Sequence, residues 1–220
     1  IGAALATLLA ARGARVYAGQ RSPDEAAPEG AAGLPLDVTD AGQVTAAMRR
    51  IEAEAGRLDA LVNNAGVISP IGHAAEIATD ALAPAFAVNV MGPHRVTRAA
   101  LPLLREAGGV VINAGTGAAT TPMEGWTAYC TSKAAARMLT QVFAVELAGS
   151  GVQFFFIGIP PTDTAMQGEI REAGLNPISR IPQGDLVDPA VPASVMAWLC
   201  GPAARELDDV LLDVRDDLFT

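Results

Sequence analysis

The chain has 220 residues, half of them hydrophobic, with 24 acidic against 15 basic side chains and a net charge of −9. That length carries the core of one α/β domain, and the acidic balance, with no basic cluster, excludes nucleic acid and an anionic membrane surface as partners. No apolar run approaches the roughly 20 residues of a membrane helix, and no signal peptide is visible.

The first residues are already helical in pattern. Ile1, Leu5, Leu8 and Leu9 recur at helical spacing, and Gly13 stops the run as a C-terminal cap. A chain that opens on Ile1-Gly2, without methionine, reads as one lacking its true N-terminus. Ala14 to Gly19 is a short strand. Residues 22–33 are rich in proline, glycine and alanine and form a loop, and Leu34 to Leu36 is a second strand ending at Asp37. Thr39 or Asp40 caps a helix whose apolar positions are Val44, Ala47, Met48 and Ile51, closed by Gly56. Leu58 to Val62 is a strand running into Asn63-Asn64-Ala65-Gly66.

Thr79 or Asp80 opens a long helix to Ala107. Pro84 is tolerated in its first turn, and Gly92-Pro93 predicts a kink inside it. Val110 to Asn113 is a strand. A loop to Gly125 leads into a helix that continues to Ala148, then comes the buried strand Val152 to Ile157. Residues 158–188 hold many prolines and glycines and little regular pattern, which predicts a lid or binding loop. A helix from Pro189 to Cys200 and a strand from Val210 to Val214 complete the chain. No internal repeat or second domain is visible, so residues 1–220 read as one unit.

Strands that are continuous apolar runs, alternating with helices, predict a parallel sheet covered on both faces. Ligands of such sheets sit beyond the carboxyl ends of the strands. Asp37, Asn63, Asn113 and Gly158 all fall at or just past strand ends, so the polar residues of interest converge on one rim.

Tyr129 and Lys133, four residues apart on one helix, project from one face about a turn apart. A phenol of pKa about 10 is a poor acid or base at neutral pH, and a neighbouring ammonium lowers that value by stabilising the phenolate. The pair is a proton-transfer device. Alone, the spacing also suits any solvated helix face.

With its neighbours it is more specific. Asp37-Val38, Asn63-Asn64-Ala65-Gly66, Asn89-Val90-Met91-Gly92, Thr116, Tyr129 with Lys133, and Asp163-Thr164 stand in order along almost the whole length. In that order and spacing the chain resembles the short-chain dehydrogenase/reductase family. The runs Gly125 to Cys130 and Asp163 to Gln167 resemble the sepiapterin reductase and benzil reductase branch. The resemblance implies a doubly wound Rossmann-type α/β domain whose first strand is missing from this chain. Ile1-Gly2 then correspond to the last residues of a glycine-rich phosphate turn, the alternative being that Gly2 is only a small helix residue.

The family reads cofactor type after the second strand. Gln20 and Arg21 stand there, replacing a carboxylate that would repel a 2′-phosphate, so NADP(H) is preferred and NAD(H) is the alternative. An ordinary surface role for Arg21 is the plainer reading. By resemblance Asp37 and Val38 contact adenine. Asn63, Ala65 and Gly66 line the adenosine side, though Asn63-Asn64 also suits a self-bonded turn.

The implied reaction is hydride transfer between a nicotinamide and a carbonyl or alcohol carbon. Tyr129 protonates the developing alkoxide, Lys133 lowers its pKa and bonds the nicotinamide ribose, and Thr116 bonds the substrate oxygen. Asn89 holds a water linking Lys133 to solvent. Thr164, with the backbone of Thr162, holds the carboxamide. Three features depart from the family. Thr116 replaces its usual serine, Pro160 replaces a glycine, and Asp213 to Asp216 stand where a glycine pair is usual.

The reading is an NADP-dependent reductase of a small carbonyl substrate, a ketone or diketone. The alternatives are a non-catalytic nucleotide-binding relative and an NAD-linked alcohol dehydrogenase. By resemblance the helices 79–107 and 126–148 pair subunits into a homo-dimer or homo-tetramer. Cys130 and Cys200, far apart and outside any metal-ligand spacing, read as free thiols of a reducing, cytoplasmic compartment. His73 and His94 have no ligand partner nearby. Met123, Trp126 and Met166 suit an apolar substrate pocket, and Trp198 suits the core.

Overall fold

The structure, a computed structural model, describes residues 1–22 and 24–219. Helix α1 (Gly2–Ala11) leads to β1 (Tyr17–Gln20) and β2 (Ala32–Pro35). Then come α2 (Ala41–Ala55), β3 (Ala60–Asn63), a short α3 (Ala83–Phe86), α4 (Gly92–Ala107) and β4 (Val110–Ala114). The remainder is α5 (Thr127–Glu146), β5 (Gln153–Gly158), α6 (Ala165–Ala173), α7 (Ala190–Leu199) and β6 (Leu211–Asp213).

Every strand pairing is parallel. The strands form a two-stranded block, β1-β2, and a four-stranded block in the order β3-β4-β5-β6. β3 and β4 pair Asn63 with Asn113, and β4 and β5 pair Ala114 with Ile157, so their carboxyl ends finish level. That alignment creates the rim expected from the sequence.

Side-chain alternation along the strands sorts the core into two layers. Val110, Ile112, Phe155 and Ile157 point to one face and pack on Leu5 of α1 and on Ala193, Met196 and Leu199 of α7. Val111 and Phe154 point to the other face, onto Val44 and Ile51 of α2 and Val96, Ala100 and Leu104 of α4. Burying each such side chain contributes roughly 1.5–3 kcal/mol. The α/β class, the parallel pairing and the helices on both faces are as the sequence predicts.

Asp40 caps α2, accepting from the N–H groups of Gly42 and Gln43 at 2.7 and 3.0 Å, and Gly56 closes it in the left-handed region. The long helix departs from expectation. It starts as a 3-10 turn at Thr79–Leu82, continues as α3, and passes through a π turn at Ala87–Met91 before α4 begins. The cause is Pro93, which has no N–H to offer the carbonyl four residues back. The hydrogen-bond register resets there, and the Gly92 N–H bonds the Ala87 carbonyl instead. Gly92 also lies where a Cβ would sit 2.7 Å from a Val38 methyl, so only glycine admits the contact between this turn and the end of β2. The predicted kink is thus a π turn one step earlier, and it holds Asn89.

A second correction concerns residues 158–188, which are not irregular throughout. They contain α6, whose Gln167 and Ile170 are buried. No helix of the described residues is long and apolar enough to cross a membrane.

Candidate active site

A cavity of about 560 Å³ opens along the rim. Its wall includes Ile1, Gly66, Thr116, Tyr129, Lys133, Thr162 and Thr164. These seven predicted residues come from α1, the loop after β3, the loop after β4, α5 and the segment after β5, so five separate stretches meet in one space. Met123, Trp126 and Met166 supply apolar wall, as expected. Trp198 packs edge-on against Phe219 and stays away from the cavity.

Tyr129 sits in the first turn of α5 and is 8% exposed. The Trp126 ring meets it edge to face at 5.6 Å, which fixes its orientation. Gly125 makes that turn possible. It has φ +79°, and a Cβ there would lie 2.6 Å from Leu175. The Gly72 N–H bonds the Gly125 carbonyl at 2.9 Å, tying the loop after β3 to the base of α5.

Burial pushes the Tyr129 phenol up to about 12, and the Thr116 side chain, within hydrogen-bonding reach, pulls it part of the way back. Lys133 is 6% exposed, and burial pushes its ammonium down to about 8. Its Nζ donates to the Ala114 carbonyl at 2.8 Å and lies 5.8 Å from the centre of the Tyr129 ring. The expected depression of the tyrosine pKa by Lys133 is therefore not the arrangement present here. The two groups share a wall, both resist charge, and Lys133 is held by a backbone carbonyl.

Asn89 is fully committed, which leaves little of its side chain for the expected water. Its Oδ1 accepts from the Val67 N–H at 2.9 Å, while Nδ2 donates to the Val67 carbonyl at 2.8 Å and to Ser132 Oγ at 2.9 Å. Ser132 Oγ in turn donates to the Tyr129 carbonyl at 3.1 Å. Asn89 stands behind the cavity wall as a clamp between the loop after β3 and α5. Ser132 was not singled out in the sequence; its place between Tyr129 and Lys133 was the only available signal.

Asn63 also turns away from the cavity. Its Nδ2 donates to Asn113 Oδ1 at 2.8 Å and to Thr97 Oγ1 at 3.2 Å, and Asn113 passes the chain on to Thr140 at 2.8 Å. The network joins β3, β4, α4 and α5 below the rim. Its neighbour Asn64 lines the cavity instead. Ala65 is exposed beside it and is not part of the cavity wall.

The residues expected at the adenine and the 2′-phosphate, Gln20, Arg21, Asp37 and Val38, form a second group outside the cavity, at or just past the ends of β1 and β2. Gln20 is half-buried and donates to the Glu25 carbonyl; Arg21 is exposed. Asp37 accepts from the Thr39 N–H and hydroxyl at 2.8 and 2.7 Å. Those two bonds hold its carboxyl below the usual carboxylate range, with Arg21 and Arg95 adding to the effect. Arg95 donates to the Val38 carbonyl at 2.6 Å, a contact the sequence did not reveal. The two histidines have ordinary partners: His73 meets Glu124 at 3.0 Å, and His94 stacks on Phe143.

The segment after β5 is held in place although Pro160 replaces the usual glycine. Asp163 N–H bonds the Val187 carbonyl at 2.9 Å, and Val187 N–H bonds the Pro161 carbonyl at 3.0 Å. Thr162, buried, donates to the Pro160 carbonyl at 2.8 Å. Ile1, the residue before α1, also lines the cavity, so the first turn of that helix faces the same space. A cavity of this size that brings the start of α1 together with a buried phenol and a hydroxyl fits a nicotinamide cofactor.

Comparison with known proteins agrees. The family profile described as short chain dehydrogenase matches residues 1–174. The chain is 34% identical over 192 residues to 2,3-dihydro-2,3-dihydroxybenzoate dehydrogenase of Escherichia coli, covering 81% of this chain and 77% of that one. It is 31% identical over 230 residues to a 3-oxoacyl-[acyl-carrier-protein] reductase of Vibrio harveyi, covering 100% and 93%. It is 32% identical over 180 residues to a benzil reductase of Saccharomyces cerevisiae, covering 74% and 68%. A short-chain dehydrogenase from Streptomyces avermitilis superposes with a TM-score of 0.79 at 29% identity, covering 96% of this chain and 82% of that one. Relatives of such different names at similar identity single out no branch, so the finer resemblance to sepiapterin and benzil reductases is not sustained. The chain belongs to the short-chain dehydrogenase/reductase family, NAD(P)-dependent oxidoreductases of carbonyl substrates.

Proposed function

We propose that the chain reduces a small, largely apolar ketone or diketone to an alcohol with NADP(H), and that Tyr129 gives the proton. One observation carries this reading: Tyr129, Thr116 and Lys133 face one cavity, and Tyr129 is held neutral there, at about 12. A phenol kept protonated at neutral pH is ready to donate to an alkoxide as charge develops. Thr116 bonds the substrate oxygen and aligns it with the phenol. Met123, Trp126 and Met166 keep bulk water from the reacting carbon.

The nicotinamide, when bound, supplies the hydride. Lys133 holds its ribose, Thr162 and Thr164 its carboxamide, and Asp37 with Val38 the adenine. Arg21, exposed at the end of β1 with no carboxylate at Gln20, favours the 2′-phosphate of NADP over the free hydroxyl of NAD.

Subunit contacts fall on the helical faces. Met138, Val142 and Val145 are exposed at 57, 40 and 77% along one side of α5, and Met91 is exposed at 57% at the π turn. Such an apolar stripe suits a second copy of the chain, in a homo-dimer or homo-tetramer.

The test is loss of NADPH absorbance with a panel of aryl and alkyl ketones and diketones. Tyr129→Phe should remove turnover by at least about a thousandfold while NADPH binding persists. Full turnover in the phenylalanine variant would remove the assigned proton donor.

A further inference from the structure

Two cations line the cavity, Lys133 and Arg215. Lys133 is buried on the Ala114 carbonyl and belongs to the reacting centre. Arg215 has no part in the proposed chemistry, yet it stands just past β6 and lines the cavity wall.

Strand order fixes which end of the cavity this is. The sheet runs β3-β4-β5-β6. Asn64 and Gly66 follow β3, Thr116 follows β4, and Arg215 follows β6. Asn64 and Gly66 thus stand toward one end of the rim, Thr116 follows, then the segment after β5 with Thr162 and Thr164, and Arg215 stands last, at the end away from Asn64.

The guanidinium is positioned with care. Arg215 Nε donates to Asp213 Oδ1 at 2.6 Å and Nη2 to Oδ2 at 2.8 Å, a two-bond fork. The carboxylate also accepts from the Arg215 N–H at 3.0 Å, while Asp216 accepts from the Asp213 N–H at 2.7 Å. Gly158 permits this packing, since a Cβ there would lie 2.6 Å from Asp213 Oδ2. One edge of the guanidinium is spent. Nη1 makes no hydrogen bond to a described residue, which leaves the opposite edge presented.

We infer that Arg215 is a specificity-determining residue and that it selects carbonyl substrates carrying a carboxylate. The inference rests on the reductase reading above. A planar fork of N–H groups matches two carboxylate oxygens, and the neighbouring wall is mostly apolar, with Met123, Trp126, Met166 and Ile170 beside the polar Thr121 and Gln167. The substrate is then an oxo acid with an apolar body. Asp213 and Asp216 offset part of the charge on Arg215, and its side chain is 67% exposed. Selection therefore comes from directed hydrogen bonds in a partly screened site, and its size is about tenfold.

The test uses 3-benzoylpropionate and its methyl ester. Wild type should reduce the acid with a kcat/KM about tenfold above the ester, through KM. Arg215→Gln should bring the two together by raising KM for the acid alone, and Arg215→Lys should restore only part of the preference. In parallel, calorimetric titration of 3-benzoylpropionate into each protein with NADP+ present should show about tenfold weaker binding to Arg215→Gln. Equal binding by wild type and Arg215→Gln, or an unchanged acid-to-ester ratio, overturns the assignment. Binding that depends on Arg215 without turnover of either compound overturns the reductase reading, and with it substrate selection, while the carboxylate contact of Arg215 stands.

Discussion

Asn89 Nδ2 and Ser132 Oγ lie 2.9 Å apart, and that bond joins the π turn of the long helix to the helix bearing Tyr129 and Lys133. Both side chains are buried, at 1 and 0% exposure, so neither finds water if its partner is lost. Asn89→Ala orphans the Val67 N–H and carbonyl and leaves Ser132 Oγ only its bond to the Tyr129 carbonyl. Each buried orphan costs about 1 kcal/mol or more. The variant should lose about 2–4 kcal/mol of stability, read as a fall in Tm of roughly 4–16 °C. Ser132→Ala removes two bonds, one from Asn89 and one to the Tyr129 carbonyl, and should cost about 1–3 kcal/mol. Equal melting of Asn89→Ala and wild type would show that the clamp holds nothing.

Thr116 meets a different demand. Its hydroxyl accepts a long bond, 3.3 Å, from the Ala118 N–H, so it has spare capacity for a substrate oxygen. Thr116→Ala should lower turnover by about a hundredfold, the usual effect of deleting a donor to a developing oxyanion. Its NADPH affinity should not change. Thr116→Ser keeps the hydroxyl, and its turnover should stay within a few-fold of wild type. Unchanged turnover in the alanine variant would discard the role.

Arg21 tests cofactor choice. It is exposed, so its contact with a 2′-phosphate is screened and worth about 1–2 kcal/mol. Arg21→Ala should raise KM for NADPH about tenfold, leave that for NADH unchanged, and flatten with added salt. A loss shared equally by both nucleotides would make Arg21 a structural residue.

The sequence reveals elements better than it reveals their internal geometry. Strands that are apolar throughout were recognisable because burial on both faces demands it, and the motifs at their ends marked the rim. Which of two adjacent asparagines faces the cavity was not legible. Asn63 is the last residue of β3 and its side chain follows the strand alternation into the Asn113 network, whereas Asn64 has left the strand. A one-residue shift reverses the outcome. The π turn was hidden for another reason. Pro93 announces a break, but where the register resets depends on the contacts of Gly92 with Val38, in the distant turn after β2. The nine residues of α6 carry too few turns to register a period among so many glycines and prolines.

Lys133 offers the most direct link between site and stability. Burial holds its pKa at about 8, below the ordinary 10.5. Below about pH 8 folded and unfolded chains both carry the proton, and the folded state bears the full cost of a buried ammonium. Between about 8 and 10.5 the unfolded chain keeps a proton that the folded chain has shed, so the cost is relieved as pH rises. The gap between the two values corresponds to about 3 kcal/mol. Lys133→Met keeps the length of the side chain and removes the charge, at the loss of one bond to Ala114. At pH 7 it should therefore melt above wild type, by about 2 kcal/mol or roughly 4–8 °C. That advantage should shrink steadily toward pH 10.5. Above pH 10 ionisation of Tyr129 destabilises both proteins alike, because its pKa is raised to about 12, and it cancels in the difference. The same variant should have no measurable turnover, since the ammonium that burdens the fold is the group assigned to the ribose and the proton path. A methionine variant less stable than wild type at pH 7 would mean that the ammonium is stabilised where it sits, and the trade between fold and chemistry would disappear.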